Sequence, residues 1–318
     1  MGRSMNQLIK KSVTIVVPVH NESRGLFNFF EKLNQVLLSL DNYEWCVLFI
    51  DDGSTDDSWG IIEQLSLTDS KVKALALSRN FGKEIALTAG VEYLDGKVDA
   101  AIFMDADLQH PPEILPEILK RWEDGFEVVA TIREQSPSSS LVRRVGARVF
   151  YSMMSKFADV EITPNGTDYR LLDKKVIKEL SLFTERTRMF RGLIDWMGFR
   201  KTHIKFTAAE RAHDTPSYTL HKLIGLAINS LTSFSLLPLR LTGYMGLFII
   251  FSTLLMIMYM LIAQILHWDY FTPLAFVVVF NTFLIGILLS GLGLVALYIG
   301  HIHTEVVKRP LYLIREIK

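Results

Sequence analysis

An α/β domain on a mainly parallel sheet, followed by a two-helix membrane hairpin, is the fold class that this sequence predicts. Three observations predict it. Residues 1–235 alternate short β-branched runs with amphipathic, charge-bearing stretches. Those runs are apolar throughout rather than every second residue, the pattern of strands covered on both faces. Charge then disappears: no Asp, Glu, Lys or Arg stands from Thr242 to Trp268, nor from Tyr270 to Thr304. About 20 apolar residues suffice to cross a bilayer, so the mean hydropathy of +0.25 has a local source.

The elements follow in order. Val13–Val19 is the first strand; Cys46–Ile50, Val72–Leu77, Ala100–Met104 and Val128–Ile132 are the next four, each ended by a turn or polar cluster. Between them 24–40, 57–67, 83–94 and 113–124 have helical spacing. Ser54 or Thr55 is placed to cap the second of these, and Pro111-Pro112 suits the first turn of the last. The soluble domain is assigned to 1–215. Residues 216–241 fit an amphipathic juxtamembrane helix, with an ordinary core helix as the alternative. Over 185–240 nine Lys/Arg face four acids, interleaved with Phe190, Trp196, Phe199, Phe206 and Phe234, a composition that favours anionic headgroups of a lipid bilayer. Two spans, about 242–266 and 273–300 within 242–304, and a basic tail, 305–318, complete the chain.

Orientation follows from the basic residues. The loop around Trp268 has no Lys or Arg, whereas Arg240 precedes the spans and Lys308, Arg309, Arg315 and Lys318 follow them. Positive flanks stay inside, so both termini and the N-terminal domain are expected in the cytoplasm, at the inner membrane. The short run Val13–Val19, broken by Pro18, does not read as a signal peptide. Tyr244, Trp268 and Tyr270 suit interfacial anchors. Thr282, Gly286 and Ser290, spaced by four, serve close helix packing either within the hairpin or in a homo-oligomer.

Composition narrows the function. Lys+Arg and Asp+Glu tie at 34 each, which argues against a nucleic-acid partner. One cysteine, Cys46, excludes an internal disulfide and a Cys-based zinc site. There is no G-x-G-x-x-G, no P-loop and no G-x-S-x-G. The chemistry gathers instead at strand ends, where ligands of parallel sheets bind. Met104-Asp105-Ala106-Asp107-Leu108-Gln109-His110 follows the fourth strand, Asp51-Asp52-Gly53-Ser54 the second, and Pro18-Val19-His20-Asn21-Glu22 the first. Two crowded carboxylates need a cation or hydrogen bonds to offset their repulsion. Hard oxygen ligands point to Mg²⁺ or Mn²⁺, which share their shell with substrate phosphates. An Asp pair at i, i+2 also occurs in solvated turns, and it is the three strand ends together that make a constellation. His110 and His213 read as structural or solvated.

At these residues the sequence resembles the family-2 glycosyltransferases of the GT-A fold. More narrowly it is similar to the polyprenyl-phosphate glycosyltransferases, relatives of dolichol-phosphate mannose synthase and the bactoprenol glucosyltransferases. The likeness also runs through Arg79–Lys83, Asp168–Leu172, Phe190–Leu193, Trp196–Phe199 and Pro238–Arg240. It implies one-step inverting transfer of a sugar from a nucleotide-sugar donor, UDP-glucose for preference, to polyprenyl phosphate. GDP-mannose and UDP-GlcNAc are the other donors weighed. It further implies that Pro18, Glu22, Asp51, Asp52, Lys83, Asp105, Ala106 and Arg211 hold the donor. Asp105, Asp107 and Gln109 would hold the metal, Arg133 and Arg148 would grip the acceptor phosphate, and Asp168 would orient or act as a base. The chain departs from the family pattern at Asp214 and Ser217, where a glycine and a cation are usual, and at Asn165 and Thr167. A processive polysaccharide synthase would carry Gln-x-x-Arg-Trp and more spans, and a non-catalytic nucleotide sensor would not need intact carboxylate pairs.

Overall fold

The structure, a computed structural model, describes residues 10–134, 166–186, 188–207 and 272–318 except 308, with a few positions between 248 and 266. Two compact units emerge: a sheet domain that includes 309–318, and a helical unit within 218–308.

The sheet domain begins with β1 (Lys11–Val19), whose residues are buried from Val13 onward. It pairs in parallel with β2 (Tyr43–Asp51) on one side and β4 (Ala100–Phe103) on the other. β3 (Val72–Leu77) lies parallel to β2. β5 (Val128–Arg133), β6 (Gly166–Asp173), β7 (Lys201–Phe206) and β8 (Ile314–Ile317) bring the sheet to eight strands in the order β7-β5-β6-β4-β1-β2-β3-β8. The chain runs outward from β1 to β3 and then returns to place β4 on β1's other side. The crevice at that reversal is where such sheets bind ligands.

The sheet is more mixed than the mainly parallel one expected. β6 runs antiparallel between β4 and β5, and β8 runs antiparallel to β3. The last residues are therefore more than a basic tail, because 314–317 closes an edge of the sheet. The backbone N–H and C=O groups that an edge strand would expose to water are paired instead: Ala74 and Lys318 exchange N–H···O bonds of 3.0 and 2.9 Å, and Ser78 donates to the Leu313 carbonyl at 2.8 Å.

Helices cover both faces. α1 (Leu26–Leu38) buries Leu26, Phe29, Leu33 and Leu37, one stripe at helical spacing. α2 (Ser58–Thr68) starts later than its sequence implies and is capped by neither Ser54 nor Thr55. Ser54 Oγ accepts instead from the Asn21 N–H, and the Thr55 N–H and hydroxyl donate to Asn21 Oδ1. α3 (Lys83–Leu94) lies so close to the sheet that a Cβ on Gly90 would stand 2.7 Å from Val16 and 2.8 Å from Ile50. That close approach fixes the start of α3, and hence Lys83, over the ends of β1 and β2. After the 3₁₀ turn Pro112–Ile114, α4 (Leu115–Glu123) buries Leu115, Ile118, Leu119 and Trp122. α5 (Lys174–Ser181) and α6 (Phe190–Trp196) follow β6.

In the helical unit, α7 (Pro273–Val306) is a single helix of 34 residues with Pro273 in its first turn. Some of its side chains lie outside the described residues, and among those described no helix is long and apolar enough to cross a membrane. The expected juxtamembrane segment 216–241 falls outside them, as does most of the first expected span.

Candidate functional site

A cleft of about 280 Å³ opens at the carboxyl ends of four adjacent strands. β1 supplies Pro18, Val19, His20 and Glu22; β2 supplies Asp52; the turn after β3 supplies Asn80, Gly82 and Lys83; β4 leads into Asp105, Ala106 and Asp107. Each group directly follows a buried apolar strand, which is why its side chains reach the rim.

The wall below β2 and β3 is rigid. Gly53 sits at φ +63°, and a Cβ there would lie 2.3 Å from the Arg79 carbonyl carbon, so the two turns are in backbone contact. The Asp52 carboxylate accepts from the N–H groups of Phe81 (2.7 Å) and Gly82 (2.9 Å). Burial raises the Asp52 pKa while those two bonds pull against it. His20 Nδ1 donates to the Asp52 carbonyl at 3.0 Å, so its Nε2 is left to accept from Asn80 at 2.8 Å. Asn21 takes φ +58°, a conformation that asparagine tolerates, and its side chain binds the 54–56 turn. Asp51 itself is fully buried beneath this wall and is not among the cleft's lining residues.

The opposite wall is ionic. Lys83 Nζ bridges Asp105 Oδ1 at 2.6 Å and Asp168 Oδ2 at 2.7 Å, and Arg191 Nε reaches Asp168 Oδ1 at 3.2 Å. Burial alone would lower the Lys83 pKa, but the two carboxylates outweigh it and the ammonium is held well above its usual range. Burial likewise opposes ionisation of Asp168, and Lys83 and Arg191 outweigh it, so its pKa falls well below the usual carboxylate range. Such a carboxylate is a weak proton acceptor near neutral pH; what it can do is hold Lys83 and Arg191 in place. Glu84, beside them, is pushed up by burial and accepts the Phe190 N–H at 2.6 Å.

The turn after Asp105 is strained and tied down. Leu108 adopts φ +59°, a left-handed conformation that costs a branched side chain about 1–2 kcal/mol. It lets the Gln109 N–H reach Asp107 Oδ1 at 3.1 Å. Gln109 Oε1 accepts from Arg133 Nη1 at 3.0 Å, so the β4 and β5 ends share one hydrogen-bond chain. His110 is structural in its contacts: Nδ1 accepts the Asp105 N–H at 2.9 Å and its ring stacks on Tyr169. Burial lowers its pKa.

The donor set fits a hard divalent cation in part. Asp105 and Asp107 both line the cleft and would offer two carboxylates, the number that Mg²⁺ or Mn²⁺ takes from protein when phosphates and water complete the shell, although Asp105 Oδ1 is already paired with Lys83. Among the described residues no group of three or more His, Cys, Asp or Glu gathers as a self-sufficient metal cage. Gln109 Oε1 accepts from Arg133, which leaves one lone pair for a cation beside a guanidinium that would repel it. Arg148, Arg211, His213 and Asn165 lie outside the described residues. His20, Asn80 and Arg191 belong to the site although the strand-end carboxylates did not single them out. Asn80 stands three residues after β3 and Arg191 in a helix remote in sequence; the signal that could have found them is the resemblance through Arg79–Lys83 and Phe190–Leu193, since no spacing rule joins them to the carboxylates.

Comparison with known proteins agrees with this geometry. The family "Glycosyl transferase family 2" matches residues 14–181. An uncharacterized glycosyltransferase of Bacillus subtilis (strain 168), YkcC, is 35% identical over 304 residues, covering 95% of this chain and 93% of that one. The SfII prophage-derived bactoprenol glucosyl transferase of Shigella flexneri is 34% identical over 304 residues, covering 96% and 97%. A mannosyltransferase of Pyrobaculum calidifontis, solved with GDP-Man and Mn²⁺, has a TM-score of 0.47 at 16% identity over 71% of this chain and 62% of that one. That last likeness is too slight to bear on the chemistry.

Proposed function

The chain belongs to glycosyl transferase family 2 and is a glycosyltransferase, and from that premise we propose that it moves one sugar from UDP-glucose to polyprenyl phosphate, with inversion, at the cytoplasmic face of the inner membrane. The observation that carries this reading is the cleft itself. Two carboxylates, Asp105 and Asp107, stand at one end beside the Lys83 ammonium, and Arg133 is bound to the same turn through Gln109. In this reading Lys83 and Arg133 are the cations on either side of the place where two anions, a diphosphate and a lipid phosphate, approach one carbon.

Pro18, Glu22 and Asp52 are assigned to the nucleoside. A phosphate monoester has a second pKa of about 6, so the acceptor is mostly dianionic at neutral pH and needs little base. Its oxygen attacks the anomeric carbon as the nucleoside diphosphate leaves from the opposite face, which inverts the centre. Asp168 positions Lys83 near the departing charge. Arg133 offers a planar fork that matches phosphate, and Arg148 is assigned beside it. Asp105 and Asp107 would hold Mg²⁺ or Mn²⁺, which neutralises charge on the leaving diphosphate when bound.

A membrane anchor would bring the site to a lipid acceptor, and the charge-free stretches of the sequence are the support for one. The stretches 242–266 and 273–300 are assigned as a hairpin of two spans, preceded by an interface helix over 216–241. Because β8 pairs with β3, a chain that enters the bilayer after the sheet domain must return to the same side, which requires an even number of crossings. The basic flanks put that side in the cytoplasm. The test is transfer of radiolabel from UDP-glucose into an organic-extractable, mild-acid-labile lipid, with undecaprenyl phosphate as acceptor. GDP-mannose and UDP-GlcNAc run in parallel identify the donor. Absence of labelled lipid with all three donors would overturn the reading.

A further inference from the structure

The C-terminal segment touches the donor wall at two points, one a backbone bond of the closed sheet edge and the other a side-chain contact that edge closure does not require. Ser78, the first residue after β3 and the start of the turn that carries Asn80 and Gly82, donates to the Leu313 carbonyl. Two residues on, Arg315 Nη2 stands 4.0 Å from Asp51 Oδ2, with its guanidinium over the Trp59 ring. Asp51 is fully buried, and that oxygen has no hydrogen-bond partner among the described residues. Its other oxygen accepts the Ser54 N–H at 3.2 Å. An ionised carboxylate in such a place is costly unless a cation faces it.

The route from there to the cleft is short. Ser54 holds the Asn21 N–H, Asn21 holds the 55–56 backbone, and Gly53 lies against the Arg79 and Asn80 backbone. Asp52, next in sequence to Asp51, fixes Phe81 and Gly82. The 51–56 and 78–82 turns therefore behave as one plate, and β8 holds both of its edges.

We propose that β8 is a working part of the donor site, with Arg315 a positioning residue that acts through Asp51 to hold this plate in the shape that the nucleotide requires. The proposal rests on the donor assignment above. It predicts a split: Arg315→Ala raises the donor KM about tenfold with kcat within about threefold, because the fully buried Asp51 carboxylate loses the cation that faces it. Arg315→Lys restores part of the loss, since the charge returns without the fork. Asp51→Asn removes the charge to be matched, so adding Arg315→Ala to it should change KM little further. Lys318→Ala, which removes the ion pairs of the residue after β8 with Glu63 and Glu316, should leave KM within about twofold, as exposed ion pairs do.

The experiment is amide hydrogen exchange on the full-length protein, followed by UDP-glucose titration with Mg²⁺ present. Arg315→Ala should speed exchange at Ser54, Phe81 and Gly82 selectively, with β1 and β4 unchanged. Uniform acceleration across the sheet, or unchanged exchange at those three amides, would overturn the proposal, as would an Arg315→Ala defect undiminished in the Asp51→Asn background. Should Arg315→Ala not fold, Arg315→Gln and Arg315→Lys carry the same comparison. Selective acceleration in Arg315→Ala, with no UDP-glucose binding by the wild type, would refute the donor assignment and leave the coupling standing, so the two failures are distinct.

Discussion

Replacing Asp168 by Asn separates a base from a brace. The change is nearly isosteric and removes one charge from a carboxylate whose side chain is 14% exposed and which faces Lys83 at 2.7 Å and Arg191 at 3.2 Å. Breaking a buried ion pair by deleting one partner costs about 3–5 kcal/mol. Lys83 keeps Asp105 and Arg191 keeps the Gly166 carbonyl, so the lower end, about 3 kcal/mol, applies. At about 2–4 °C per kcal/mol for a domain of this size, Tm should fall by about 6–12 °C in detergent. The sign with pH is fixed by the depressed folded pKa of Asp168. Its contribution is fully present above the unfolded value of about 3.9 and is lost as pH falls through the folded one. The wild-type and Asn unfolding curves, followed by circular dichroism, should therefore stay a constant distance apart from about pH 5 to 8 and converge only below about pH 4. A Tm shift under about 2 °C with turnover abolished would refute the reasoning, because it would make the carboxylate chemical rather than structural.

Three more outcomes are expected. Asp107→Asn should cut transfer by orders of magnitude, as should EDTA on the wild type with recovery on Mg²⁺ or Mn²⁺; full activity of Asp107→Asn in EDTA would remove the metal assignment. Arg133→Ala should lower transfer to lipid about ten- to a hundredfold, the worth of a 1.5–3 kcal/mol contact to a dianion, while calorimetric binding of UDP-glucose changes little. In a chain with Cys46 replaced, Asp269→Cys should react with an impermeant thiol reagent on intact cells and Arg309→Cys should not, and the reverse pattern would invert the topology.

Local periodicity made five of the sheet's eight strands legible. β1 to β5 are short apolar runs ended by polar clusters, and α1 to α4 fill the gaps between them, so hydrophobic spacing alone finds them. β7 and β8 escape that reading because edge strands keep polar side chains: Lys-Thr-His-Ile-Lys-Phe and Ile-Arg-Glu-Ile look like surface sequence. β6 was visible only as a polar motif around Asp168. The cleft carboxylates were legible because each directly follows a buried strand. Contacts across long separations were not, since no spacing rule joins Lys83 to Asp168 or Gln109 to Arg133. The two aspartates of Asp51-Asp52 read alike in sequence, yet neighbouring residues at a strand end point opposite ways; one lines the cleft and the other lies beneath it.

The edge that β8 closes has a consequence for how the protein is made. Leu77 waits for Ile314, about 240 positions later, and at ~5–20 residues per second that is on the order of 10–50 s of synthesis. Throughout that interval β3 is an open strand edge on a nascent domain, able to pair with a neighbour. The stretch made in between is the one assigned to the bilayer. On that assignment closure of the sheet follows insertion, and a ribosome that stalls or a chain that fails to insert would leave a domain with its edge bare. Truncation just before 309 should therefore show up first as aggregation of the sheet domain during expression.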